Sequence, residues 1–389
     1  MALKIGRAAA SPPFRVMDVI AAANARQAAL PPGAARVLRM EVGQPGTGAP
    51  AGAAAAVVAA LQAGDPLGYT ETFGLPALRA RIAAHYREWY GLDLPARRIA
   101  VTTGASGAFP LAFLAAFDAG DRIALAAPYY PPYVNILRSL GMRPVILEAG
   151  PETRFQPSVA MLDRLAAQAG PPDGLIIASP ANPTGSMLPA ADLAELAAWC
   201  AANGVRLISD EIYHGLHYDT PIATAAAVGP DAIVINSFSK YFSMTGWRVG
   251  WMVLPEALLR PVECLAQNFF INAPHIAQVA ALAAFECGDE LEANVARYRR
   301  SRARLLAALP ECGFPRLSSA DGAFYLYADI AGRDEDSARF CARMLAEIGI
   351  AATPGLDFDA ARGGHFVRFS YCAPEADIDE AVARLAAWR

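Results

Sequence analysis

The sequence predicts an α/β fold: a large domain with a mainly parallel seven-stranded sheet flanked by helices, plus a smaller α+β domain built from the C-terminal part and the N-terminal arm. Three observations support it. Length and 54% apolar content fit a large globular protein with a substantial core. Between residues 99 and 254, short β-branched runs alternate with longer alanine-rich segments whose apolar residues recur at helical spacing. Beyond Ala273 the alternation gives way to one long helical stretch and then a short α+β pattern.

Pro31-Pro32-Gly33 and Gln44-Pro45-Gly46 break up an N-terminal arm, residues 1–45, expected to pack with the small domain. The large domain, 46–285, contains strand-like runs at 99–103, 122–126, 144–147, 175–179, 206–209, 233–237 and 249–254. Segments such as 193–202 supply the intervening helices. A helical stretch then runs from Ala273 through Tyr298 and Leu306, ending near Glu311-Cys312-Gly313-Phe314-Pro315. Within the small domain, 286–389, runs at 322–328 and 367–371 read as strands and 338–348 as a helix.

A net charge of −4 and a pI near 5.8 argue against a nucleic-acid or anionic-membrane partner. The six cysteines (200, 264, 287, 312, 341, 372) show no paired or metal-like spacing, which predicts free thiols in a reducing cytoplasm and no metal. Ala8 to Ala10 run straight into Ser11-Pro12-Pro13, too short for a signal sequence. The longest apolar run, 53–61, is too short to span a bilayer, so a soluble cytoplasmic protein is expected.

Lysine usage is the sharpest chemical signal. Only Lys4 and Lys240 occur, against 31 arginines, so a lysine kept inside an ordered segment needs a reason beyond charge. Arginine stays protonated, whereas a lysine amine can lose its proton and form an imine with a carbonyl cofactor. Lys240 lies in a hydroxyl-rich stretch from Ser237 to Trp251 that also holds Arg248. A surviving surface lysine is the competing explanation.

Other candidates follow the predicted strands, where open α/β sheets bind ligands. Gly104-Ala105-Ser106-Gly107 opens a helix whose free N–H groups suit a phosphate, although any tight strand-to-helix turn looks alike. Tyr129, Tyr130 and Tyr133 could stack on a heterocycle or simply pack in the core. Asn182-Pro183-Thr184-Gly185 has turn chemistry but also delivers an amide at the sheet edge. Asp210 is either a helix cap or a buried carboxylate paired with a cation or protonated nitrogen. Ser237 and Arg248 suit a phosphate, and Arg368, among β-formers, suits a substrate carboxylate or an internal ion pair.

Taken together, Ser237-x-Ser239-Lys240 with Gly246-x-Arg248-x-Gly250, Asn182-Pro-x-Gly and Asp210-Glu-x-Tyr213 resemble the fold-type I pyridoxal-phosphate aminotransferases of the class I/II, aspartate-aminotransferase-like superfamily. The resemblance spans nearly the whole chain, from Val42-Gly43-Gln44-Pro45 to Arg368-Phe369-Ser370. It implies a ping-pong transfer of an amino group from an L-amino acid to a 2-oxo acid. Lys240 would hold pyridoxal 5'-phosphate as an internal aldimine and shuttle the proton. Asp210 would keep the pyridine nitrogen protonated, Asn182 and Tyr213 would bond the phenolic oxygen, and Tyr130 would stack on the ring. The phosphate would be held by Ala105, Ser106, Ser237 and Arg248. Tyr69 would reach the neighbouring subunit's phosphate, making a homodimer. Arg368 would clamp the substrate carboxylate with help from the Gly43 backbone and Asn182.

The turn Ala105-Ser106-Gly107 lacks the basic side chain that aspartate-specific relatives often place there. Arg15 is a candidate substitute, while Tyr133, Phe14, Tyr69 and Phe324 would suit a neutral side chain. Elimination, aminocyclopropane-carboxylate formation or oxidation could run on the same fold, distinguished by product. A ligand-sensing regulator would require a further DNA-binding module, for which the arm has too few basic residues.

Overall fold

Where β-branched side chains cluster, the chain is extended. The computed structural model describes residues 3–388 and contains twelve strands. They are β1 (Leu38–Arg39), β2 (Ile99–Thr102), β3 (Arg122–Ala127), β4 (Arg143–Glu148), β5 (Gly174–Ala178), β6 (Arg206–Asp210), β7 (Ile233–Ser237), β8 (Gly250–Val253), β9 (Tyr325–Asp329), β10 (Ile350–Ala351), β11 (Thr353–Pro354) and β12 (Phe366–Ser370). All seven runs expected between residues 99 and 254 join one sheet in the order β2-β8-β7-β6-β5-β3-β4.

Pairs from β4 through β3, β5 and β6 to β7 are parallel. Strand β8 runs antiparallel to both its neighbours, β2 and β7. The reason is local: only one 3-10 turn, Thr245–Trp247, lies between β7 and β8, too little for a crossover, so the chain turns back. That turn, residues 238–249, carries Lys240 and Arg248 to the C-terminal edge of the parallel strands. Helices cover both faces, so the central strands are buried throughout and read as unbroken apolar runs. Ile208, Ile233 and Ile235 are fully buried, each contributing about 1.5–3 kcal/mol of transfer free energy.

The second half of the architecture is smaller. Antiparallel β11-β12-β9 form a three-stranded sheet, with Arg368 opposite Tyr327 and Phe369 opposite Leu326. Strand β1 of the arm pairs parallel with β10, tying the arm to the C-terminal part of the chain. Just before it lies helix α1 (Arg15–Ala28), whose Ala23 packs with Val37, Leu345 and Ala351. The long helical stretch after Ala273 is two helices, His275–Ala284 and Gly288–Glu311.

Candidate active site

Beyond β2, the chain turns at Gly104 into the helix Ala105–Ala116. Gly104 has φ +71° and ψ 175°, a region open to glycine alone, and a Cβ there would meet Arg248 Nη2 at 2.8 Å. The arginine therefore lies directly against the loop. Its Nη2 donates to Ser106 Oγ at 3.3 Å and its Nη1 to Thr245 O at 2.7 Å. The N–H groups of Ala105 and Ser106, in the first turn, have no preceding helical carbonyl. Arg248 and this helix start form one cationic cradle.

Asp210 ends β6 and is almost fully buried. Its Oδ1 accepts from Ile212 N at 3.1 Å, and its Oδ2 accepts a short hydrogen bond from Tyr133 Oη. Burial pushes the carboxyl up to about 6 despite those donors and the nearby positive Lys240. Lys240 Nζ donates to Gly43 O at 2.5 Å and lies 5.8 Å from the Tyr213 ring centroid. Burial, with Arg368 and Arg248 adding positive charge, lowers its amine to about 8. A lysine so poised gives up a proton far more readily than one in water.

Arg368, in the middle of β12, is 2% exposed. Nη1 donates to Asn182 Oδ1 at 2.7 Å, and Nη2 to Glu41 O at 2.5 Å and Thr353 Oγ1 at 3.1 Å. Tyr325 and Phe358 flank it, with ring centroids 4.4 Å and 4.8 Å from Cζ. A guanidinium has five N–H donors. Three are used by these contacts, and among the described residues the buried Nε has no partner. Among the described residues no carboxylate side chain pairs with it, and the contacts it makes are with an amide, a carbonyl and a hydroxyl oxygen, not the internal ion pair weighed from the sequence. A buried cation with spare donors calls for an anion from outside.

These groups meet in a cavity of about 770 Å³. Its polar lining includes Ser106, Asn182, Asp210, Tyr213, Lys240, Arg248, Tyr325 and Arg368, with Tyr130 at one side. Opposite stand Phe14, Val16, Met17 and Ile20 of the arm, together with Phe109 and Ile136. Among these lining residues the cations are Lys240, Arg248 and Arg368 and the single carboxylate is Asp210.

Residues 35–385 match the family of class I and II aminotransferases. The chain is 47% identical to the valine–pyruvate aminotransferase of Mycobacterium tuberculosis, covering 99% of this chain and 98% of that protein. It is 31% identical to a (5-formylfuran-3-yl)methyl phosphate transaminase of Methanocaldococcus jannaschii over 96% of this chain and 95% of the other. A crystal structure of an aminotransferase from M. tuberculosis superposes with a TM-score of 0.96 at 47% identity, covering 100% and 99%. The Thermus thermophilus aspartate aminotransferase with maleate gives 0.90 at 30% identity, covering 99% and 100%.

The chain belongs to the class I and II aminotransferases. It is an enzyme that transfers amino groups between amino acids and 2-oxo acids. The family's cofactor is pyridoxal phosphate. The donor set of this aminotransferase fits such a group: a buried carboxyl for a ring nitrogen, a lysine of lowered pKa, and a cationic cradle shaped by Gly104 for a phosphate.

Several sequence expectations are refined. Ser237 does not line the cavity; its hydroxyl, with a single proton to give, lies 3.1 Å from Val249 O and 2.9 Å from Ser239 Oγ, and Ser239 is the serine that lines the cavity. Tyr133, expected against a substrate side chain, lines the cavity but spends its hydroxyl on Asp210. Phe324 is fully buried behind Lys240, its ring centroid 5.9 Å from Nζ, outside the lining. Tyr69, 83% exposed, lies outside the cavity of a single chain. Arg15 is exposed and does not line it. Tyr130 lines the cavity and Tyr129 does not.

Tyr325 escaped the sequence reading altogether. Its hydroxyl bonds Tyr213 Oη at 2.9 Å, and a Cβ on Gly43 would fall 1.8 Å from it. The alternation Tyr325-Leu326-Tyr327 in a β-forming run was the available signal. Val16, Met17 and Ile20 were also missed, although their spacing matches one face of a helix.

Proposed function

We propose that this aminotransferase uses pyridoxal 5'-phosphate and takes neutral L-amino acids with apolar side chains as donors to a 2-oxo acid. The observation that carries the reading is the convergence of Lys240, Asp210, Arg248 and Arg368 on one cavity that also has an apolar wall of Phe14, Val16, Met17, Ile20, Phe109 and Ile136. When bound, the cofactor supplies a carbonyl that captures the amine and a ring that accepts the electron pair released at the substrate's α-carbon.

The rest falls to the protein. Arg248, Ser106 and the N–H groups of Ala105 and Ser106 hold the phosphate, with Ser239 in reach and Ser237 supporting it. Asp210, kept in place by Tyr133 and Ile212 N, accepts from the ring nitrogen. A neighbouring cation restores its charged form against burial. Asn182 and Tyr213 meet the phenolic oxygen, and Tyr130 lies on the ring face. Arg368 and the Gly43 backbone fix the carboxylate, which sets the Cα–H bond for removal by Lys240 Nζ. The valine named for the M. tuberculosis relative agrees with the apolar wall.

We further assign the arm to residues 1–45, the large domain to 46–285 and the small one to 286–389. A cytoplasmic homodimer completes the proposal. Among the described residues no helix is long and apolar enough to cross a membrane. Val58, Leu61, Tyr69, Phe269, Phe270 and Ile271 are exposed, and a second copy covering them would let Tyr69 reach its phosphate. The test is an amino-acid panel with pyruvate as acceptor, run on cofactor-loaded protein. Valine, leucine and their like should give stoichiometric 2-oxo acid and alanine. Release of ammonia, or aspartate as the best donor, refutes the reading.

A further inference from the structure

Helix α1 supplies Val16, Met17 and Ile20 to the cavity, yet little holds its first half. Met17 is 58% exposed, and Val16 and Ala23 are the helix's buried residues. The cluster around Ala23 anchors the far end. The N-cap residue, Phe14, offers no side-chain cap, and its ring merely meets Tyr130 edge-on at 5.8 Å. A helix start without a local cap needs acceptors from elsewhere. Asp357 provides them from the other end of the chain: Oδ1 accepts from Arg15 N at 3.1 Å and Oδ2 from Val16 N at 3.2 Å. Asp357 is 9% exposed, and its carboxylate also complements the positive end of the helix dipole.

The segment that carries Asp357 also holds Arg368. Thr353 Oγ1 accepts from Arg368 Nη2, and the Phe358 ring lies against its guanidinium. Residues 353–358 thus touch two walls of the cavity, the carboxylate clamp through Thr353 and Phe358 and the start of α1 through Asp357. A substrate held by its carboxylate would meet that face with its side chain.

We infer that Asp357 is a positioning residue that fixes the first turn of α1 at a set distance from Arg368 and so determines how strongly apolar side chains are preferred. The inference rests on the apolar-donor reading above and adds the residue that enforces it. The experiment compares wild type, Asp357→Ala and Asp357→Asn by two readouts: amide exchange across residues 14–20 in cofactor-free protein, and kcat/KM for leucine and for alanine in the loaded enzyme.

In Asp357→Ala, exchange at Arg15 and Val16 should rise at least about tenfold as two cap bonds are lost. Leucine kcat/KM should fall about tenfold, mainly through KM, while alanine, which does not reach α1, changes less than about twofold. Asp357→Asn keeps one acceptor oxygen and should fall between; it also serves should the alanine variant not fold. Unchanged exchange, or equal losses for leucine and alanine, overturns the inference. A wild type that prefers aspartate sinks the donor reading instead, and the exchange result still decides what Asp357 holds.

Discussion

Replacing Arg368 by lysine keeps the positive charge and removes the fork, which makes it a direct measure of the proposed carboxylate clamp. In the native site three of the guanidinium's donors bind Asn182, Glu41 and Thr353. The two donors left over sit on Nε and Nη1, and a carboxylate that displaces an Nη2 acceptor can be met by two bonds. A lysine ammonium reaching the same place offers a point charge and gives up one of the two bonds. A hydrogen bond to a charged group contributes about 1.5–3 kcal/mol, so about 2 kcal/mol and about 30-fold in kcat/KM should be lost. The assay pairs an L-amino acid with the amine that lacks its carboxylate, each followed as a single half-reaction. The loss should appear with the amino acid and be near absent with the amine. An equal loss with both would show that Arg368 supports the site's architecture and does not grip the carboxylate.

Asp210→Asn should make the cofactor-free protein more stable at neutral pH. Its folded pKa of about 6 stands above the usual carboxylate value, so wild type loses stability as pH rises from about 4 to 6; the variant should lack that loss, gaining about 3 kcal/mol at pH 7 and nothing below pH 4, read by thermal unfolding. Tyr133→Phe removes a donor to the Asp210 carboxylate, which raises its pKa further; the acid limb of the activity profile should move to higher pH, and an unmoved limb would dissociate Asp210 from it. Gly104→Ala combines a positive φ with a Cβ 2.8 Å from Arg248, so cofactor affinity should drop at least about tenfold, measured by dialysis against pyridoxal phosphate, with little change in KM for amino acids.

Much of the architecture was legible because its physics is local. The central strands are buried on both faces and therefore show as continuous apolar runs, and their edges fall within a residue or two of the sequence reading. Lys240 stood out through scarcity, and Arg368 through its position among β-formers. Illegible features depend on distant pairing. Tyr325 gains its role from Tyr213, Gly43 and Arg368, none of them near it in sequence. Ser237 and Ser239 are equivalent hydroxyls on paper, and only in the fold does Ser237 lie against Val249 O while Ser239 lines the cavity. Asp357 looks like an ordinary loop residue until Arg15 and Val16, more than 340 positions earlier, are brought against it.

The insertion of β8 between β2 and β7 has a consequence for how the protein is made. Strand β2 has no other neighbour in the sheet, so its edge stays unpaired while residues 103–249 emerge from the ribosome. For that whole interval the nascent chain displays a strand whose four residues are all buried in the finished protein, a template for mispairing. Closure comes only with Gly250–Val253, and the same stretch delivers Arg248 to the helix that β2 feeds. Completion of the sheet and assembly of the anion cradle thus wait for the same short segment of chain, residues 248–253.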